Sequence, residues 1–280
     1  MKTHPHNCLL SFNRRPISQI HCWLLKGWVF GAWLGVWMIS SQALQAQPVE
    51  TLWQEGIRLE KRNEDAPALE YFMKILQNNP AHLGALCKAS KLYSRLGGRS
   101  EIKSEKKELM LKAKALACEA IHTDNQNADA HFQYLLALGM LSEIADNPKD
   151  KLESARIIRN EAETILLLDS NNAGAYYVLG KWNAALSGLN WFERFIGQTL
   201  LGGIPTGASY TEALRLFQHA IDLQPGCIMF YYGMAKTLAD HGQNEDAMKN
   251  LEKALLLPIL EPDDLIRKEK CKRLISQIRK

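Results

Sequence analysis

The chain has 280 residues, 46% of them hydrophobic, with 34 basic against 30 acidic side chains. Four of the basic residues, Lys2, Arg14, Arg15 and Lys26, fall in the first 46 residues, which contain no Asp or Glu, so the remainder is balanced at 30 against 30. A neutral body of this length excludes a general nucleic-acid binder, which needs a basic surface, and it is long enough to bury a core without staples.

The first element in chain order is that acid-free stretch, followed by an uncharged apolar run from Gly27 to Ile39. It reads as a secretory signal peptide over residues 1–46, with small residues that offer cleavage after Ala43 or Ala46. The competing expectation is an uncleaved membrane anchor over residues 27–46, since about 20 residues suffice to cross a bilayer. A periplasmic or secreted location follows from the first reading and a membrane-anchored one from the second.

Internal repeats organise the chain from residue 49 onward. The tetratricopeptide pattern sets large, apolar, small and aromatic residues at successive core positions of a first helix, then A-x3-F and a closing proline in a second, over 34 residues. Leu52, Gly56, Leu59, Ala68, Phe72, Ile75 and Pro80 fit it in register. Four further repeats open at Leu86, His131, Tyr176 and Tyr231. The second resumes 11 residues late at Ala113, and the fourth resumes 21 residues late at Ala213.

The domain 49–280 is therefore expected to be an all-α, tetratricopeptide-like α-solenoid of about five helix pairs, near 49–82, 83–127, 128–172, 173–227 and 228–260. A last helix over 263–280, presenting Leu265, Cys271, Leu274, Ile275 and Ile278, would cover the open end of the stack. Asp65 is placed to cap the helix carrying Ala68, and Ser209 with Glu212 reads as a capping box.

Little of this points to catalysis. G-x-S-x-G, a phosphate loop, H-E-x-x-H and C-x-x-C are all absent from the sequence. Cys118 and His122 share a helix face, but two ligands do not make a metal site. Cys87, Cys118, Cys227 and Cys271 are widely spaced, so a disulfide is compatible with the chain and not required by it. No catalytic residue, metal or cofactor is expected.

The binding surface follows from helical geometry. Repeat positions 2, 5, 9 and 12 of each first helix lie together, away from the core positions. In tetratricopeptide proteins that side lines a concave groove. Position 9 is Lys91, Leu136, Lys181 and Lys236 in repeats two to five, and position 5 is Cys87, Phe132, Tyr177 and Tyr232. Lys91, Phe132, Tyr177, Lys181, Tyr232 and Lys236 are thus the candidate groove, suited to an acidic protein or peptide. The plainer alternative makes the lysines solvated and the rings wall. The insertion at 188–205 carries Trp191, Phe192, Arg194 and Phe195, either as a lid or lipid-touching surface or as a lengthened helical arm.

The order "YYVLGKW", "NWFERF", "GGIPTGASYTEAL" and "EPDD" resembles the regulator of microtubule dynamics family. The resemblance implies a helical-repeat domain without catalytic machinery, with Gly180, Lys181, Trp182, Trp191, Arg194, Pro205 and Ala213 as framework residues. It also implies links to microtubules and mitochondria in animal members, with phospholipid bound by one of them. The function expected is a non-enzymatic scaffold that captures a protein or peptide in its groove. The alternative is a lipid-binding or lipid-transfer module using the groove and the insertion.

Overall fold

Small residues repeated at the contact face of each helix let paired helices approach until a ring of one rests on the backbone of the other. Gly56 faces Phe72 and Gly180 faces Phe217, so close that a methyl group added at either glycine would stand 2.9 Å from the ring. Both phenylalanines are fully buried. Ala68, Ala113, Ala117, Ala213, Ala220, Ala247 and Ala254 continue the same device with no exposed surface.

The computed structural model describes residues 48–189, 193, 194, 197, 198, 203 and 206–280. The expected signal segment 1–46 lies outside the described residues, as do Trp191, Phe192 and Phe195 of the insertion and Pro205. Among the described residues there are eleven helices and no strand, which makes the domain an all-α solenoid. Its first three pairs are α1 (Val49–Lys61) with α2 (Asp65–Asn78), α3 (Leu83–Arg99) with α4 (Lys103–Thr123), and α5 (Ala128–Ile144) with α6 (Pro148–Leu168). Two more follow, α7 (Ala173–Ser187) with α8 (Tyr210–Leu223) and α9 (Ile228–Asp240) with α10 (Asn244–Leu256), and α11 (Asp263–Ile278) closes the chain.

Local chemistry sets these limits. Asn127, Asn147 and Asn172 stand at the N-caps of α5, α6 and α7, where each side chain accepts a backbone N–H of the first turn. Pro148 occupies the first turn of α6, where its missing N–H costs nothing. The extra residues of the second and third repeats lengthen both helices of each pair: α3 and α5 have 17 residues, and α4 and α6 have 21. Ser209 caps α8 by accepting Glu212 N–H at 3.1 Å. The box is half formed, because the Glu212 carboxylate turns to Arg215 and the Ser209 N–H goes to Asn183 Oδ1 instead.

Two sequence expectations are corrected. Asp65 does not cap α2: Glu64 holds that position without a side-chain bond, and the Asp65 carboxylate is committed elsewhere. Leu265 does not belong to the buried face of α11, keeping 57% of its surface. Cys271, Leu274, Ile275 and Ile278 do pack into the core shared with α9 and α10. Leu265 is displaced because Asp264, next to it, turns inward to accept the N–H groups of Leu260 and Glu261, at 3.0 Å each. Cys87, Cys227 and Cys271 are free thiols, and burial pushes Cys271 up to about 11.

His131 opens the third repeat at the core position that takes a large residue, so its polar ring needs partners inside. It is buried with Glu161 of α6, its Nδ1 2.7 Å from a carboxylate oxygen and its Nε2 3.1 Å from the Asn125 carbonyl. Two acceptors facing both ring nitrogens favour the doubly protonated ring, and the Glu161 bond is the main reason its pKa is raised, against the opposing cost of burial.

The core generates two expectations. Ala213→Leu should overpack the α7–α8 contact and destabilise the domain by about 1–3 kcal/mol, read as a lowered denaturation midpoint; an unchanged midpoint would contradict the register. For His131 the folded pKa lies above the unfolded one. Its contribution is therefore complete below about pH 6.5 and lost as pH rises through the folded value. Melting temperature should fall over that rise in the wild type and fall less in His131→Gln, and parallel pH profiles would refute the charged pair.

Candidate functional site

Among the first helices α3 packs on α5 and α7 on α9, while Lys91–Glu60 links α3 to α1 and Phe132 over Gly174 links α5 to α7, so α1, α3, α5, α7 and α9 contribute to a shared face. The aromatic residues expected there act mainly as wall. Phe132 lies over Gly174 of the next repeat, where an added methyl would stand 2.3 Å from its ring. Tyr177 retains 8% of its surface and sits between Phe217 and Phe230, with ring centroids 5.7 and 5.1 Å away. Burial pushes its phenol up. Tyr232 is half-buried in the same cluster. These rings join one repeat to the next and offer little free surface to a ligand.

The three lysines on this face already hold carboxylates. Lys91 donates to Glu60 at 2.9 Å, Lys181 to Glu143 at 2.8 Å and Lys236 to Asp240 at 2.8 Å. Lys181 keeps 49% of its side-chain surface. Desolvation pulls its ammonium down, but Tyr177, Glu143 and Tyr232 together raise it further, so the net direction is up and it stays charged. Its neighbours in the G-K-W triplet face other ways. Gly180 seats Phe217, while Trp182 donates its indole N–H to Ala155 at 2.8 Å with the Arg159 guanidinium 5.1 Å from its ring. One turn of α7 thus serves a packing contact, a contact to α6 and the charged face.

Arg194, expected in a lid, a lipid-touching surface or a lengthened helical arm, lies against the end of α7. Its guanidinium donates to the carbonyls of Leu186, Ser187 and Leu189, at 2.7, 3.3 and 3.1 Å. The first two belong to the last turn of α7, whose carbonyls a helix end leaves unsatisfied, and the third lies just beyond the C-cap.

A second cluster on the same face adds to the expected Lys91 three cations that the sequence expectations missed. Lys88, Lys91, Arg95 and Arg99 form a stripe along α3 at helical spacing. Lys88 and Lys91 share the Glu60 carboxylate. Arg95 and Arg99 share Asp65, at 3.3 and 2.8 Å, and the Asp65 side chain is 1% exposed. The two arginines also reach the turn that leads into α11, Arg95 to Glu261 at 3.1 Å and Arg99 to Asp263, the first residue of α11, at 2.6 Å. These partners stand 166 and 164 residues apart in sequence. Asp263 and Asp65 hold the Arg99 guanidinium above its ordinary value, although burial opposes them. Arg267 binds Glu261 and Asp264 from the other side, at 3.0 and 2.7 Å. The signals that announce this are the basic residues at 88, 91, 95 and 99 and the acidic E-P-D-D run; periodicity alone does not connect them.

Comparison with known proteins follows the geometry. The chain is 29% identical over 177 residues to Regulator of microtubule dynamics protein 2 of Rattus norvegicus, covering 63% of this chain and 42% of the rat protein. It is 28% identical over 224 residues to Regulator of microtubule dynamics protein 3 of Bos taurus, covering 78% of this chain and 46% of the bovine one. The chain thus spans less than half the length of these relatives. Among solved structures, a thermophilic TPR protein of Thermus thermophilus superposes with a TM-score of 0.60 at 15% identity, covering 81% of this chain and 100% of that one, a likeness of fold. A sequence model of Regulator of microtubule dynamics protein 1-3 matches residues 51–279, so the chain belongs to that family.

Proposed function

We propose that the domain is a non-catalytic scaffold that captures a protein or peptide along the face of its first helices, with carboxylates of the partner taking the places now held by Glu143 and Asp240. The observation that carries this reading is Lys181. A charged, half-exposed ammonium stands beside the buried Tyr177 and half-buried Tyr232 rings, paired with a Glu143 side chain that is itself 62% exposed. Exposed pairs of this kind are worth about 0–1 kcal/mol, so a ligand exchanges with the internal partner at little cost. An apolar wall with a few placed charges is the usual make-up of a site that captures by charge and shape.

Selection of a peptide library on the purified domain 49–280 tests the reading. The wild type should enrich acidic sequences, Lys181→Glu with Lys236→Glu should lose them by tenfold or more, and melting should stay nearly unchanged. Equal enrichment by both proteins would remove the lysines from the site. The lipid reading has a separate readout: native mass spectrometry of the same protein should show no copurified phospholipid, and a stoichiometric lipid would replace the peptide scaffold with a lipid carrier.

We also propose that the protein is exported, on the composition of residues 1–46. The mature N-terminus should then be Leu44 or Gln47 by terminal sequencing. Full-length protein resisting carbonate extraction from membranes would instead make residues 27–46 an anchor.

A further inference from the structure

The four cations of α3 on the inner face, Lys88, Lys91, Arg95 and Arg99, meet only two carboxylates from the first repeat, Glu60 and Asp65. The imbalance is made good by Glu261 and Asp263 from the far end of the domain. Asp65 lies behind the two guanidiniums, buried, and fixes them from below whether or not anything lies above. A pair of arginines held in this way is a preorganised receptor for two carboxylates, because the order of its forks is set before a ligand arrives. Arg99 Nη2 and Asp65 Oδ2, both buried, have no hydrogen-bond partner, so the Arg99–Asp65 contact is an ion pair that leaves hydrogen-bonding capacity of both groups unused.

That occupant, the turn from Ile259 to Asp264, is itself shaped for presentation. Asp264 ties the N–H groups of Leu260 and Glu261, and Arg267 clamps Glu261 and Asp264. Glu261 and Asp263 are thereby displayed two residues apart. Apolar burial does little to hold the turn in place. Ile259, Leu260, Leu265 and Ile266 around it keep 50%, 67%, 57% and 48% of their surface. The turn is thus held onto α3 mainly by charge, with its large apolar side chains outward, while Asp264 is buried and anchors it to α11.

We propose that Arg95 and Arg99 form a binding site for acidic peptides of the type Glu-x-Asp, and that the turn carrying Glu261 and Asp263 is its occupant in cis, which a partner peptide displaces. The proposal rests on the reading of the inner face as a peptide site and names the part of it that recognises carboxylates. A tethered occupant acts at an effective concentration on the order of millimolar. An external ligand is therefore weakened by the fraction of molecules whose site is filled. Removing the Glu261 and Asp263 carboxylates of this turn, which straps the site, should raise affinity in trans while leaving the receptor intact.

The probe is a fluorescein-labelled synthetic peptide with the sequence of residues 257–268, LPILEPDDLIRK, titrated with the intact domain and read by anisotropy. Glu261→Gln with Asp263→Asn should bind it tenfold or more tightly than the wild type, and adding Arg95→Glu and Arg99→Glu to that variant should abolish binding. A control peptide with Gln and Asn at the positions of Glu261 and Asp263 should not bind any of the proteins. If the double strap variant melts early, Glu261→Gln alone, at moderate salt, gives the same comparison with one contact removed.

Equal affinity of wild type and strap variant, or binding that survives loss of both arginines, overturns the proposal. The two readings fail separately. Acidic peptides selected from a library through Lys181 with no response to the strap variant would leave the scaffold standing and refute this site. No selected peptide and no binding of the probe to any variant would refute both.

Discussion

Each helix pair depends on one contact: a ring or branched side chain of one helix resting on a residue with almost no side chain in its partner. Gly56 under Phe72 and Gly180 under Phe217 set the spacing in the first and fourth pairs, and the fully buried alanines set it elsewhere. Because every pair must make this contact, the first helices come out in register along one side, and whatever occupies their remaining positions becomes a common face. The inner face is thus a by-product of the core. Its composition is free to carry recognition, since none of the charged residues on it supports the paired-helix contact.

Electrostatics then divides that face into two regions of different character. Around Lys181 and Lys236 the partners are exposed and near in space, and the pairs contribute little to stability. Around Arg95 and Arg99 one partner is fully buried. Removing Asp65 would leave two guanidiniums under-compensated at the edge of the core, a costly arrangement. Recognition is easier to build where the receptor is held rigidly from behind, and only the second region has that property. Phe132 over Gly174 joins the third repeat to the fourth, and Tyr177 against Phe230 joins the fourth to the fifth.

The repeat architecture is legible because its signal is local. Alanine and phenylalanine at fixed offsets, Asn at the helix starts and Pro148 inside a first turn each act within a few residues, and the spacing from Ala68 to Phe72 or from Ala213 to Phe217 shows it directly. The candidate face is legible in part: Lys91, Phe132, Tyr177, Lys181, Tyr232 and Lys236 lie on first helices, but repeat position alone does not tell how deep Tyr177 sits or that Glu60, Glu143 and Asp240 already hold the lysines. Asp65 reads as a cap because acidic residues at helix starts usually are one, and its true partners arrive from the next helix. The pairing of Arg95 and Arg99 with Glu261 and Asp263 is illegible for a different reason. It joins residues 166 and 164 apart, a separation that no local sequence pattern spans.

The central claim is that the turn before α11 is held onto α3 by charge across the inner face. A double-mutant cycle between Arg99→Met and Asp263→Asn, read from denaturant midpoints, measures that contact with other effects cancelled. Coupling of about 1 kcal/mol or more, shrinking as salt is raised, is the result the account predicts. Changes that add to within about 0.3–0.5 kcal/mol would contradict it.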